Sequence, residues 1–287
     1  MAPPSKPASQ WLVTTEWLAS RLKSPDLVVV DGSYYLPTQK RDAAAEFKAG
    51  HIPGAVRFDV DDISDHSSNL PHMLPSAFDF GLAVGQLGIS ERNTIVVYDG
   101  MGLWSAPRVW WTFRLFGAEH VYLLEGGLPR WKAEKRPLEP GEAKRPRSHF
   151  ITRTPDDIVA TMARVERALA EKTAQVVDAR PAERFRGEAA EPRPGVRPGH
   201  IPGSLNVPAT KLIENGQLLP LDKLRAAFKA GGVDIERPVI TSCGSGVSAA
   251  VLWLALDALG KPPVGLYDGS WSEWGALKGM PLATGPA

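Results

Sequence analysis

The chain has 287 residues, 43% of them hydrophobic and 23% charged, enough for one large core or two moderate ones. Its 33 Lys and Arg nearly cancel its 32 Asp and Glu, leaving a formal net charge of +1, so no overall field draws it to nucleic acid or to an anionic membrane. A single cysteine, Cys243, excludes an internal disulfide framework and any multi-cysteine metal site.

The amino terminus, MAPPSKPASQ, lacks the charged-then-apolar pattern of a secretory leader and the Arg-rich pattern of a transit peptide. The longest apolar runs, such as Ala249 to Leu256, fall far short of the roughly 20 residues that cross a bilayer. A cytoplasmic location with no membrane partner is the expectation.

Along the chain, four signals appear in order and then recur in the same order. An apolar run ending in aspartate, Leu27 to Asp31, is matched by Gln175 to Asp178. The tetrapeptide His-Ile-Pro-Gly occurs at His51 to Gly54 and at His200 to Gly203. A β-branched run entering a Gly turn, Ile95 to Gly100, is matched by Val239 to Gly244. Glu125-Gly126-Gly127-Leu128-Pro129-Arg130-Trp131 is matched by Asp268-Gly269-Ser270-Trp271-Ser272-Glu273-Trp274. The halves are therefore collinear. Between them Arg136 to Pro155 is rich in Pro, Lys and Arg without apolar periodicity, the pattern of an extended, exposed linker. The expected division is a first domain over 1–140, a linker over 141–154 and a second domain over 155–287.

Helical spacing is predicted at Trp104 to Phe116, Asp156 to Leu169, Leu221 to Ala230 and Ser248 to Leu259, alternating with short apolar strands. This predicts an α/β fold, with a mainly parallel sheet in each half and helices on both faces. Ligands in such sheets sit beyond the carboxyl ends of the strands, and Cys243, after the strand Pro238 to Ser242, occupies that position. Its counterpart in the first half is Asp99, which cannot do thiolate chemistry.

The segment Cys243-Gly244-Ser245-Gly246-Val247-Ser248 combines a thiol, two glycines and two hydroxyls at a strand-to-helix turn. Glycines let backbone N–H groups converge on one point, and the helix dipole adds positive potential there. A thiol in that setting is expected to ionise below its free value of about 8.5. The same amides would stabilise a second, anionic sulfur bonded to it.

Phe47 to Phe58 is similar to the amino-proximal signature of the rhodanese superfamily, and Val264 to Trp274 resembles its carboxyl-terminal signature. With the repeat and the cysteine loop, the resemblance to the tandem-domain form of that family spans nearly the whole chain. It implies a sulfurtransferase that carries sulfur as a Cys243 persulfide, without metal or organic cofactor. Thiosulfate-specific members carry Arg and Lys just after the cysteine. Mercaptopyruvate-specific members carry Gly-Ser-Gly-Val-Thr, which Gly244 to Ser248 match except for Ser248. That resemblance implies 3-mercaptopyruvate as donor, held by Gly244, Gly246, Val247, Ser248 and by Arg184 and Arg193, which match the family's oxoacid-binding arginines. Arg186 and Arg197 are close enough in sequence to be confused with them. It further implies a proton relay through Ser245, His72 and Asp61, with Asp59 and Asp62 as alternatives to Asp61. His51 and His200 are expected to be scaffold. The implied acceptor is thioredoxin, a small thiol or cyanide.

Thiosulfate-to-cyanide transfer is the nearest alternative. A cysteine phosphatase would need Arg six positions after the nucleophile, where this chain has Ala249. A non-catalytic module that binds partners or senses redox state is the third alternative, against which the intact cysteine loop speaks.

Overall fold

A computed structural model describes residues 8–153 and 157–287. The first half contains β1 (Leu12–Val13), α1 (Thr15–Arg21), β2 (Leu27–Asp31), α2 (Ala43–Ala49), β3 (Val56–Arg57), α3 (Ala77–Gln86), β4 (Thr94–Tyr98), α4 (Ala106–Leu115), β5 (His120–Leu124) and α5 (Gly127–Ala133). The second repeats the scheme with β6 (Val159–Ala160), α6 (Met162–Glu171), β7 (Gln175–Asp178), α7 (Ala182–Phe185), β8 (Leu205–Asn206), a hairpin of β9 (Ile213–Glu214) and β10 (Gln217–Leu218), α8 (Leu221–Ala230), β11 (Val239–Ser242), α9 (Ala249–Ala258), β12 (Gly265–Tyr267) and α10 (Ser270–Trp274). The two main sheets have the same order, β1-β5-β4-β2-β3 and β6-β12-β11-β7-β8, and every pairing within them is parallel. Helices cover both faces, which is why β2, β7 and β11 are buried at every residue and read as continuous apolar runs rather than alternating ones.

The register confirms the internal repeat at single-residue precision. Asp31 lies opposite Tyr98 in the first sheet and Asp178 opposite Ser242 in the second. Gly32 N–H then donates to the Tyr98 carbonyl at 2.8 Å, as Ala179 N–H does to Ser242 at 2.8 Å. Asp99 and Cys243 are thus the same position in two copies of one loop.

The halves are joined by apolar packing. Residues Ala249 to Leu256 of α9 are all buried, because one side of the helix meets its own sheet and another meets α4 of the first domain. Trp111 on α4 and Trp253 on α9 have ring centroids 5.9 Å apart, and one hydrophobic cluster runs through both domains. Trp110 and Trp111 accordingly belong to the core. An apolar joint of this kind holds two domains as one body, where a wet polar contact would leave them free to rotate.

Each domain also sends a segment over the other. After β3, residues 58–75 form a strap that reaches the second domain's cysteine loop through His72. After β8, the β9–β10 hairpin reaches the first domain, where the Gly216 carbonyl accepts from Gly126 N–H at 3.1 Å. Its Asn215-Gly216 turn has φ of 51° and 73°, the left-handed pair of a tight hairpin. Gly216 is required twice, since an added Cβ would also lie 3.3 Å from the Gly102 and Gly126 Cα atoms.

Two expectations need correction. Asp156 lies outside the described residues, and the segment after it does not begin as helix: Val159–Ala160 is an edge strand paired with β12, and α6 starts only after Thr161, whose hydroxyl accepts from Arg164 N–H. Thr161 is a helix start signal that overrides the apolar spacing before it. The stretch after Arg136 is extended as expected but only partly exposed. Phe150 is buried, Ser148 N–H donates to Gly85 at 2.9 Å, and Glu139 pairs with His51, so this stretch is tied to the first domain.

The two His-Ile-Pro-Gly histidines have matching environments. Each is buried and stacked on a phenylalanine, His51 on Phe47 at 4.0 Å and His200 on Phe185 at 3.8 Å. Each also has its Nδ1 within 2.9 Å of that phenylalanine's carbonyl. Both help to lock a turn, which fits a scaffold role.

Candidate active site

Cys243 follows β11 directly and is 1% exposed. From it the chain turns through Gly244 to Ser248 into α9, with Gly246 at φ 76°. The turn after β12 fixes this loop. Ser270 Oγ accepts from the N–H of Cys243 at 3.1 Å and of Gly246 at 3.2 Å, while donating to the Tyr267 carbonyl at 2.6 Å. Trp271 N–H and Ser272 N–H donate to the carbonyls of Cys243 and Gly244. The amides of Gly244, Ser245, Val247 and Ser248 have no protein acceptor among the described residues.

The sister loop shows what that backbone path can hold. In the first domain the Asp99 carboxylate accepts from the amides of Met101, Gly102, Trp104, Ser105 and Ala106 at 2.5–2.9 Å. Those positions correspond to Ser245, Gly246, Ser248, Ala249 and Ala250 in the second domain. The path is an anion nest filled by its own side chain in the first copy; in the second, Gly246 N–H goes to Ser270 Oγ and Ala250 N–H to the Val247 carbonyl, leaving the Ser245 and Ser248 amides for an anion beside the thiol.

The strap from the first domain supplies a polar chain. His72, 4% exposed, has Nδ1 2.9 Å from Ser245 Oγ and Nε2 3.0 Å from Asp61 Oδ1. This selects Asp61 from the three neighbouring aspartates: Asp59 pairs instead with Arg57. The hydrogen bond with His72 holds the Asp61 carboxyl below its ordinary value, with further help from the charges of Arg193 and Arg57.

The arginines face the cysteine from the segment after β7. Arg184 lies beside Gly244, and its Nε and Nη2 donate to the buried Glu191 carboxylate at 3.3 and 2.5 Å, while Arg180 donates to Glu191 from the other side at 2.8 Å. Arg193 has no carboxylate partner among the described residues and reaches only the Tyr34 hydroxyl at 3.3 Å. Burial pushes the Tyr34 phenol above its ordinary value, so it stays protonated and able to donate. Arg186 is bound to Glu188, and Arg197 to the carbonyls of Gly275, Leu277 and Met280, so neither is free to take a ligand here.

Cys243, Gly244, Ser245, Val247, Ser248, Arg184 and Arg193 line one small cavity of about 50 Å3, closed by Tyr34, Leu36 and Trp104 of the first domain. On the scale of about 10–15 Å3 for one water, this admits a molecule of a few heavy atoms and not a peptide. His72 and Asp61 stand behind Ser245. Gly246 is turned away from the cavity and packs against Arg108 and Asp268. Tyr34, Trp104, Glu191 and Ser270 were not singled out in the sequence as site residues. Tyr34 was findable, since it lies three residues beyond the strand-ending Asp31, where strand-end loops meet ligands.

The rhodanese-like domain family matches the chain twice, at residues 14–134 and 161–277. A protein named 3-mercaptopyruvate sulfurtransferase from Escherichia coli is 46% identical over 276 residues, which cover 96% of this chain and 98% of that one. Thiosulfate/3-mercaptopyruvate sulfurtransferase 1, mitochondrial, from Arabidopsis thaliana is 39% identical and covers 96% of this chain and 78% of its own. The crystal structure of SseA from Escherichia coli, described as showing the rhodanese fold and catalytic mechanism of 3-mercaptopyruvate sulfotransferases, superimposes with a TM-score of 0.84 at 44% identity, covering 91% of this chain and 98% of that one. Both halves, their common topology and their shared loop therefore place this chain in the rhodanese-like domain family.

Proposed function

We propose that the chain transfers sulfur from 3-mercaptopyruvate to an acceptor through a persulfide on Cys243, releasing pyruvate. The observation that carries this reading is the meeting, in one small cavity, of a thiol at an open anion nest with an arginine pair. Arg184 and Arg193 suit the carboxylate and carbonyl oxygens of an oxoacid, because a guanidinium can grip a planar carboxylate with two parallel hydrogen bonds. Arg193, without a carboxylate partner of its own, is the cation that such a substrate would neutralise.

In the first step the Cys243 thiolate attacks the donor's sulfur. The new S–S bond forms as the C–S bond breaks, and the electron pair moves into the pyruvate enolate. The arginine charges oppose the negative charge that builds there. A proton then reaches carbon to give pyruvate, and the chain Ser245–His72–Asp61 is the proton path within reach of the cavity. The amides of Ser245 and Ser248, counterparts of two that Asp99 satisfies in the other domain, receive the anionic outer sulfur. In the second step an acceptor, a thiol such as that of thioredoxin or of a small molecule, or cyanide, attacks the outer sulfur and restores the Cys243 thiolate. The cysteine is itself the carrier.

The site takes residues from both halves, so the division into 1–140, 141–154 and 155–287 is proposed as structural units of one enzyme. No helix among the described residues is long and apolar enough to cross a membrane, and we place the enzyme in the cytoplasm. The test is mass spectrometry after incubation with 3-mercaptopyruvate, beside a thiosulfate reaction. A one-sulfur adduct on Cys243 with release of pyruvate is expected. Absence of both sinks the reading, and faster turnover with thiosulfate reassigns the donor.

A further inference from the structure

Arg108 is a first-domain residue on α4, yet its guanidinium lies inside the joint between the domains, with its side chain 3% exposed. Its Nη2 donates to Asp268 Oδ1 at 2.5 Å and to the carbonyl of His72 at 2.9 Å. The other Asp268 oxygen accepts from Leu74 N–H at 2.8 Å. One buried cation and one buried anion thus clasp the strap on both sides of Met73. Both also touch the cysteine loop: a Cβ placed on Gly246 would lie 3.0 Å from Arg108 Nη1 and 3.0 Å from the Asp268 carbonyl. Arg108 Nη1 is buried with no hydrogen-bond partner among the described residues. An unpaired buried donor costs stability and calls for an explanation.

His72 supplies the explanation. Its φ is 61°, a left-handed backbone that is uncommon outside glycine, though histidine adopts it more readily than most, and that contacts on its carbonyl help to hold. That backbone aims Nδ1 at Ser245 and Nε2 at Asp61. The group that holds the His72 carbonyl is Arg108 Nη2. With Nη2 committed to His72 and Asp268, the rigid plane of the guanidinium leaves Nη1 against Gly246, where it makes no hydrogen bond among the described residues.

We propose that Arg108 is a positioning residue for sulfur transfer: by binding the His72 carbonyl and Asp268 together, it keeps His72 in line with Ser245 across the domain boundary. The proposal rests on the sulfurtransferase reading above. It acts on the proton path and leaves the oxoacid grip of Arg184 and Arg193 alone, so it separates kcat from KM.

The experiment is a cycle of wild type, Arg108→Lys, His72→Ala and the double variant, assayed for pyruvate release over a range of 3-mercaptopyruvate concentrations. Lysine keeps a charge opposite Asp268 but replaces the planar fork with a point charge. We expect Arg108→Lys to lower kcat about 10- to 100-fold, no more than the roughly 100-fold lower limit of what a positioned acid–base group contributes, since His72 itself stays in place, with KM within about two-fold of wild type. In the His72→Ala background the same substitution is expected to cost almost nothing further. Equal losses in both backgrounds, a rise in KM in place of a fall in kcat, or an unchanged kcat would overturn the proposal. Should Arg108→Lys fail to fold, Arg108→Met combined with Asp268→Leu removes both buried charges at once, which proteins often tolerate, and is read in the same way. A wild-type protein that forms no persulfide removes the sulfurtransferase reading and this proposal together, whereas an active wild type with additive losses removes only the role of Arg108.

Discussion

The loops after β4 and β11 follow the same path from strand to helix, and they differ in what occupies them and what faces them. In the first domain five amides close on the Asp99 carboxylate, and Gly216 of the opposite hairpin seals the mouth. In the second, the corresponding turn carries Cys243, with His72 and two arginines around it. Affinity for an anion is thus a property of the backbone path, common to both copies. Chemistry requires the thiol and the facing side chains, which only one copy has.

The largest expected effect comes from replacing the thiol. Cys243→Ser should lower pyruvate release more than about a thousand-fold with the fold intact, as loss of a nucleophile does. Adding Asp99→Cys to that variant should restore nothing, because the first loop meets Tyr35 and Arg41 at Gly100 and Gly216 at Gly102, where the second meets Arg184 at Gly244 and Arg108 at Gly246. Recovery of turnover in the double variant would break the distinction between the loops. Arg184→Ala should lower kcat/KM about 10- to 100-fold, in keeping with loss of charge-assisted hydrogen bonds worth roughly 1.5–3 kcal/mol. Titration with a series of oxoacids would show whether the loss follows the carboxylate.

Asp99→Ala tests the other copy. It leaves five amides without their acceptor and should cost about 2–4 kcal/mol of stability in urea unfolding, with turnover changed by less than about two-fold. A variant as stable as wild type would show that the filled nest contributes little. The smallest effect concerns His200, whose imidazole burial holds below its ordinary value. The unfolded chain therefore takes up a proton, as pH falls through about 6.5, that the folded chain resists, so stability should decline over that range and level off below the folded value. His200→Asn should flatten that slope in melts between pH 5 and 8.

Much of this arrangement is legible in the sequence, for physical reasons. β2, β7 and β11 and helix α8 stand out because they are long enough, and uniformly buried or amphipathic enough, for local pattern to match tertiary role. The two-residue strands β1 and β6 do not, since an edge strand that short has no periodicity to read. Cys243 is found by its place in the repeat, and Arg184, Arg193, His72 and Asp61 by family likeness. Ser270 and Arg108 are hidden for another reason. Ser270 takes up a left-handed backbone where its first-domain counterpart is Gly127, and its hydroxyl acts on residues far back in the chain. Arg108 reads as a surface charge on an amphipathic helix until the second domain covers it. Contacts made between residues from 24 to 160 positions apart leave no trace in local spacing.

The near-complete burial of Cys243 also governs who can collect the sulfur. A diffusing cyanide or small thiol is small enough for the narrow cavity whose wall includes Cys243, a residue 1% exposed. A cysteine on the surface of a folded acceptor would meet Tyr34, Leu36, Trp104 and Pro181, which line the same cavity, before it reached the sulfur. On the proposed reaction, rates with protein acceptors would depend on displacing those residues and rates with small ones on the chemistry, so the two classes would report on different steps of the same cycle.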